Sequence, residues 1–260
     1  MNIIVCIKQV PDTTEVRLDP VTGTLIRDGV PSIINPDDKA GLEAALRLKD
    51  QCGAHVTVVS MGPPQADLAL REALAMGADE AVLVTDRAFG GADTWATSST
   101  LAAAIKKLPC DLIITGRQAI DGDTAQVGPQ IAEHLGLAHI SYAEDLRLEG
   151  DSVVVKRQYE DRYHVIRAKL PCLITALSEM NTPRYMTPGG IFDAFRRKEV
   201  TAFTRPDLDI GDDNIGLAGS PTRVFKSFTK TPKAAGTVEK LDPREGAQAI
   251  VRYLAEKHII

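Results

Sequence analysis

The chain alternates short apolar runs with segments whose apolar residues return every three or four positions, and this alternation predicts most of its elements. Residues 2–8 (NIIVCIK) form a nearly continuous apolar run, as a parallel strand buried on both faces requires. Residues 16–29 hold two short extended pieces around Pro20-Val21-Thr22-Gly23, which predict a surface hairpin. Asn35 then offers a helix N-cap, Pro36 fits the first helical position, and Asp37 and Asp38 suit the positive end of the helix dipole. Leu42, Ala45, Leu46 and Lys49 continue at helical spacing until Gly53. Further strands are predicted at 54–61, 80–85 and 111–115, and helices at 65–76, 93–108 and about 124–135. Gly77 and Gly136 serve as stops, and Pro129 trims the first turn of the last helix. The order βαβαβαβα predicts an α/β fold, a doubly wound and mostly parallel sheet with helices on both faces. Ligands of such sheets sit beyond the strand C-termini, at the loops that lead into helices.

The pattern changes after residue 138. Strand-like runs at 141–148, 152–160, 163–170 and 172–177 are joined by Glu149-Gly150-Asp151 and Asp161-Arg162, which predicts an antiparallel meander. From Ile191 the chain is charged and loop-rich, with Pro206, Gly211, Gly216, Gly219 and Pro221. This tail is expected to be an arm lying on a partner, closed by a helix over 243–260 that carries Ile250, Leu254 and Ile259. The domain reading is therefore 1–190 for the α/β domain with its antiparallel extension, and 191–260 for the arm and terminal helix.

Composition narrows the function. An apolar share of 44% and a charged share of 25% are ordinary for a folded protein. A net charge of −5 disfavours nucleic acid as a partner. No run of about 18 apolar residues exists, so no membrane insertion is expected, and the first apolar run is too short for a signal-peptide core. A cytoplasmic location is the expectation. Cys6, Cys52, Cys110 and Cys172 are scattered, and the five histidines form no ligand pair at helical spacing, which argues against metal and iron–sulfur sites. There is no G-x-S-x-G and no cysteine with a credible histidine partner, so no catalytic side chain is assigned. Redox chemistry would need an organic cofactor.

Strict G-x-G-x-x-G and Walker motifs are absent, yet two loops suit a phosphate. In Phe89-Gly90-Gly91-Ala92-Asp93-Thr94, paired glycines let backbone N–H groups approach an anion, and Asp93 or Thr94 can cap the helix that follows. The same residues also make an ordinary loop-to-helix junction. The second loop, Gly116-Arg117-Gln118-Ala119-Ile120-Asp121-Gly122-Asp123-Thr124-Ala125-Gln126-Val127-Gly128, runs from a strand end into a helix and is long and polar. Arg117 could meet a phosphate, Gln118, Asp121 and Asp123 could bind ribose hydroxyls, and Thr124 and Gln126 could donate near the helix start. Asn35-Pro36 and Met61-Gly62-Pro63 lie at the same predicted edge. Together these loops could wrap an adenine nucleotide.

Several stretches also carry a family likeness. Val5-Cys6-Ile7-Lys8-Gln9-Val10-Pro11-Asp12, Ile34-Asn35-Pro36, Ala75-Met76-Gly77-Ala78-Asp79 and Gly116-Arg117-Gln118-Ala119-Ile120-Asp121-Gly122-Asp123 closely resemble the β (small) subunit of electron transfer flavoproteins. So do Arg167-Ala168-Lys169-Leu170-Pro171-Cys172-Leu173-Ile174-Thr175 and Pro183-Arg184-Tyr185. The resemblance implies a Rossmann-like, adenine-nucleotide-binding fold and a heterodimer with an α subunit that holds most of a flavin. By position it places nucleotide contacts at Cys6, Asn35, Pro36, Asp37, Asp38, Met61 and the loop from Gly116 to Val127. It makes residues 178–185 a loop docking on a partner dehydrogenase, with Met180 as apolar anchor and Pro183, Arg184 and Tyr185 beside it. Around Glu160-Asp161-Arg162-Tyr163-His164 the chain departs from the usual family pattern.

Asp86-Arg87-Ala88-Phe89-Gly90-Gly91-Ala92-Asp93-Thr94-Trp95-Ala96-Thr97-Ser98 resembles the electron-bifurcating branch, as do Ala218-Gly219-Ser220-Pro221-Thr222-Arg223 and Lys226-Ser227-Phe228. That branch implies FAD in place of AMP, with Gly62, Gly90, Gly91, Asp93, Thr94 and Thr97 completing its site. It implies NADH (NAD as the electron donor couple), one electron to ferredoxin or flavodoxin, and the other through the α-subunit flavin to an acyl-CoA dehydrogenase-type flavoenzyme. The alternative is an ordinary carrier subunit with AMP in the site. A remote alternative is an ATP pyrophosphatase-like enzyme, whose S-G-G-x-D-S loop Gly90-Gly91-Ala92-Asp93-Thr94 partly matches; there the loop follows the first strand, and here it follows the third. A universal-stress-type ATP-binding module is weaker still, because it would not need the long tail.

Overall fold

The computed structural model describes residues 1–12, 31–225, 236 and 238–260. The predicted hairpin at 16–29 and the Lys226-Ser227-Phe228 segment lie outside the described residues. Residues Met1–Val224 form one compact unit and Phe225–Ile260 a second.

The first unit is built on parallel strands β1 (Asn2–Cys6), β4 (His55–Met61), β5 (Glu80–Val84) and β6 (Leu112–Gly116). Between β1 and β4 come two short strands, β2 (Gln9–Pro11) and β3 (Ser32–Ile34), paired antiparallel in a sheet of their own, and then helix α1 (Pro36–Cys52). Helix α2 (Asp67–Met76) joins β4 to β5, α3 (Thr94–Ile105) joins β5 to β6, and α4 (Val127–Leu135) follows β6. The stops behave as the chain pattern predicts. Gly53 and Gly136 take left-handed conformations (φ 70° and 65°), and their N–H groups close the last turns of α1 and α4.

Strand β1 shows how the two faces are filled. Ile3 and Val5 point into a core with Leu42 and Leu46 of α1 and Leu70 of α2. Ile4 and Cys6 point the other way, towards Leu101 and Ile105 of α3 and Ile131 of α4. Burial on both sides is why the strand reads as an unbroken apolar run.

Among the described residues the main sheet has nine strands, in the order β11-β5-β4-β1-β6-β10-β7-β8-β9. Strands β7 (Ala138–Glu149), β8 (Ser152–Gln158) and β9 (Tyr163–Lys169) form the antiparallel extension. The departure noted around Glu160–His164 falls at the tight turn between β8 and β9, where Tyr159 N–H donates to Arg162 O at 2.8 Å. The predicted fourth strand of the meander does not join it. Strand β10 (Cys172–Ala176) enters the sheet between β6 and β7 and runs parallel to both. Its residues are all buried, a pattern that belongs to a central strand and not to a half-exposed hairpin.

Three further differences concern boundaries. Helix α4 begins at Val127 and not near Thr124, because Asp123 and Ala125 adopt left-handed φ values of 51° and 52° that no helix accepts. The stretch after residue 187 is not an open arm at first. It forms helix α5 (Pro188–Arg196), capped by the Thr187 side chain, and edge strand β11 (Val200–Phe203), parallel to β5. In the second unit, helix α6 (Pro243–Glu256) stops four residues before the predicted end and leaves Ile250 and Tyr253 exposed. No helix among the described residues is long and apolar enough to cross a membrane.

Candidate functional site

Strands β1 and β6 are neighbours, but the helices that follow them pack on opposite faces of the sheet. Their C-terminal ends therefore open into a crevice, the position where ligands of doubly wound sheets bind. Cys6 ends β1 and Gly116 ends β6. Burial, with Asp38 adding to it, pushes the Cys6 thiol far above its ordinary value and keeps it protonated.

Asp38 ties the two strand ends together. The Lys8 N–H donates to its Oδ2 at 2.7 Å, and the Gly116 N–H donates to its Oδ1 at 3.0 Å. This closeness explains the glycine: a Cβ at position 116 would lie 2.1 Å from Asp38 Oδ1 and 2.8 Å from the Asp38 nitrogen. Burial pushes the Asp38 carboxyl up to about 7, against the two backbone N–H bonds and Asn35, which favour the ionised form. The unfolded chain ionises this group near 4. Between those values the folded state holds the extra proton, so Asp38 makes stability fall as pH rises from about 4 to about 7. Urea midpoints measured across pH 4–8 are expected to decline more steeply for the parent than for Asp38→Asn. Parallel profiles would show Asp38 ionising at its ordinary value.

Asn35 occupies the N-cap position of α1, but its side chain does not cap the helix. It turns instead to the loop after β6. Its Nδ2 donates to Gln118 O at 2.8 Å, and its Oδ1 accepts the Ile120 N–H at 3.0 Å. Two further side-chain contacts brace the loop. Lys8 Nζ pairs with both oxygens of Asp121 at 2.7 and 2.9 Å, and Gln118 Nε2 donates to Asp123 Oδ1. These contacts hold two non-glycine residues, Asp123 and Ala125, in left-handed conformations, and leave Gly122 and Thr124 exposed. Strained backbone of this kind persists only where its surroundings over-determine it. Ala119 accepts the Gly122 and Asp123 N–H groups in the turn, and Ile120 is half exposed.

The Gly90–Thr94 loop meets this loop at its rim. Thr94 Oγ1 donates to Gln126 Oε1 at 2.9 Å, linking the first turn of α3 to the residue that precedes α4. Asp93 caps α3 through Ala96 N–H at 3.0 Å, and Thr97 lies one turn on, half-buried. The other Asp93 oxygen accepts from the Thr222 N–H at 3.0 Å and its hydroxyl at 2.7 Å, while the Asp93 N–H donates to Ser220 Oγ at 2.9 Å. Despite some burial, these donors hold the Asp93 carboxyl below the usual carboxylate range. Leu217 N–H donates to Gly90 O at 3.0 Å, and its Cβ lies 3.2 Å from where one would sit on Gly91. Residues 217–222 thus wall one side of the cradle. Met61 ends β4 on the same edge and Gly62 follows it, its N–H donating to Val84 O at 3.1 Å.

The 178–185 segment lies along α1. Its first residue donates the Ser178 N–H to Asp37 Oδ1 at 3.0 Å, Asn181 Nδ2 donates to Ala40 O at 2.9 Å, and Arg184 Nε donates to Glu43 Oε2 at 2.9 Å. Arg184 also reaches Asp50 at 2.8 Å, and both acids raise its already high pKa further. Met180 is half-buried against the core, Pro183 is half-buried, and Tyr185 is 95% exposed.

The structure brings Asn35, Asp38, Cys6 and the 116–126 loop around one crevice and joins Thr94 to its rim. Pro36 sits at the N1 position of α1 between Asn35 and Asp37. Among the described residues no cluster of acids, cysteines or histidines is arranged to hold a metal ion. Lys8 was missed in the sequence, although a lone charge at the end of an apolar strand run marks a strand C-terminus. Ser178's bond to Asp37 spans 141 positions and leaves no local signal.

Comparison with known proteins matches residues 22–208 to the electron transfer flavoprotein domain. The chain is 61% identical over its whole length to the electron transfer flavoprotein subunit beta of Clostridium acetobutylicum, also covered whole. It is 55% identical, again over all of both chains, to subunit CarD of the caffeyl-CoA reductase-Etf complex of Acetobacterium woodii. It is 47% identical, with the same full coverage, to the acryloyl-CoA reductase electron transfer subunit gamma of Anaerotignum propionicum. With this crevice at the switch point of its sheet, and with these relatives matched end to end, the chain belongs to the electron transfer flavoprotein family, in the line of its β subunits.

Proposed function

We propose that this chain pairs with an electron transfer flavoprotein α subunit and holds the adenine-nucleotide part of FAD in the crevice between β1 and β6. The observation that carries this reading is the Thr94–Gln126 bond, which holds the N-terminal ends of α3 and α4 against one rim. One helix N-terminus serves a single phosphate, and two converging ones suit a pyrophosphate. The residues fit the group. Gly90 and Gly91 permit close backbone approach, and Arg117, the first residue after β6, has a buried Nε that makes no hydrogen bond and faces Asp37 at 3.4 Å. Asp121 is neutralised by Lys8, so it does not repel an anion.

In this reading the nucleotide contacts are the residues named above, from Cys6 to Val127. FAD bound there would supply hydride acceptance from NADH and release of single electrons, one to ferredoxin or flavodoxin and one through the α-subunit flavin to an acyl-CoA dehydrogenase-type flavoenzyme. Energetically, the downhill transfer offsets the uphill one. The chain's own residues hold and orient the nucleotide and exclude water. Two relatives named for acyl-CoA reductases support the choice of electron acceptor. Residues 178–185 dock the dehydrogenase, with Met180 as anchor, and of residues 191–260 the part past the first unit, closed by α6, packs on the α subunit.

The test is the FAD and AMP content of the heterodimer, measured by acid release and chromatography. Two FAD and no AMP are expected. One FAD and one AMP would return the chain to the ordinary carriers.

A further inference from the structure

We propose that Asp37 is a positioning residue that couples the occupancy of the crevice to the conformation of the 178–187 loop; this rests on the nucleotide reading above. Asp37 stands in the first turn of α1 with its side chain 9% exposed. Its two oxygens face different partners. Oδ1 accepts the N–H of Ser178, the residue that opens the loop along α1. Oδ2 faces Arg117 Nε, on the first residue of the nucleotide loop, at 3.4 Å.

That second contact is incomplete. Both Asp37 Oδ2 and Arg117 Nε are buried, and neither makes a hydrogen bond. At 3.4 Å the two form an ion pair without a hydrogen bond, and about a third of the Arg117 side chain, 34%, stays exposed and within reach of the crevice's solvent. Left open, they make a joint that a ligand can reset. An anion in the crevice draws the Arg117 guanidinium towards itself, and Asp37 then turns both oxygens to the Ser178 end. Strand β10 adds to the connection, because its last residue, Ala176, accepts the Arg117 N–H at 2.8 Å, two positions before Ser178. Coupling of this kind is reciprocal: a partner that selects one loop conformation changes nucleotide affinity by the same factor.

The experiment uses nucleotide-stripped heterodimer with AMP as the probe. It reads AMP affinity by calorimetry and hydrogen exchange of residues 178–187 with and without saturating AMP. In the parent, AMP is expected to change exchange in that segment several-fold. In Asp37→Asn, which keeps an acceptor for Ser178 but removes the charge facing Arg117, the exchange change should vanish at AMP concentrations that saturate the variant, whatever its affinity. Ser178→Pro removes the donor from the loop side and should decouple in the same way. An unchanged AMP response in both variants, or none in the parent while AMP binds, overturns the coupling. No AMP binding to the parent at all overturns the nucleotide reading instead.

Discussion

Replacing Gly116 with alanine is expected to destabilise the protein by about 3 kcal/mol, the upper end of ordinary overpacking. The added Cβ would meet three atoms of α1's first turn, among them the backbone nitrogen of Asp38 at 2.8 Å and Asp37 Cβ at 2.9 Å. None of these is the far end of a flexible side chain, apart from the Asp38 carboxylate that the Gly116 N–H itself holds. Relief requires α1 to retreat from the strand end, which breaks the bond joining β6 to Asp38. For a chain of this size the melting temperature should fall by roughly 6–12 °C. On the nucleotide reading proposed above, the crevice should also release its ligand, because the retreat widens it. A variant that melts within a degree or two of the parent and keeps its nucleotide would show that α1 shifts at no cost.

Asn35→Ala should act on the site more than on the fold. The Asn35 side chain is fully buried and satisfies both Gln118 O and Ile120 N–H. Truncation leaves each group without its partner, at about 1–3 kcal/mol apiece. The loop can recover part of that by moving towards solvent, which abandons the conformation that holds Asp123 and Ala125 left-handed. Nucleotide affinity is then expected to drop on the order of 100–1,000-fold, equivalent to about 3–4 kcal/mol. The melting temperature should change far less. Calorimetric titration of the parent and variant heterodimers with AMP measures the effect. An affinity within threefold of the parent would show that Lys8–Asp121 and Gln118–Asp123 hold the loop unaided.

These residues also mark how far the sequence could be read. Strands β1, β4, β5 and β6 and the stops at Gly53, Gly77 and Gly136 were legible because each depends on neighbours in the chain. The 116–126 loop was legible as a candidate because a long polar segment at a strand end has few structural reasons to exist. Asn35 was read as a helix cap because that is the local use of an asparagine before Pro36; its actual partners are more than 80 positions away. The same holds for β10. Its apolar run specified a strand, but only long-range register decides that it parts β6 from β7. Ser220 and Thr222 reach Asp93 across 127 and 129 positions, and only the family likeness of 218–223 pointed towards them.

The place of β10 has a consequence for the order in which the chain can assemble as it is made. Until residues 172–176 have emerged, β6 has β1 on one side and nothing on the other. Its five residues, all buried in the finished fold, then form an open edge of the kind that pairs with other chains. The β7–β8–β9 extension emerges earlier, but among the described residues the strand that joins β7 to β6 is β10. The wall over Gly90 emerges later still, with residues 217–222. The wall against Gly90 and Asp93 is thus the last part of the crevice's surroundings to be made, so the cradle between the two loops is complete only in a nearly finished chain.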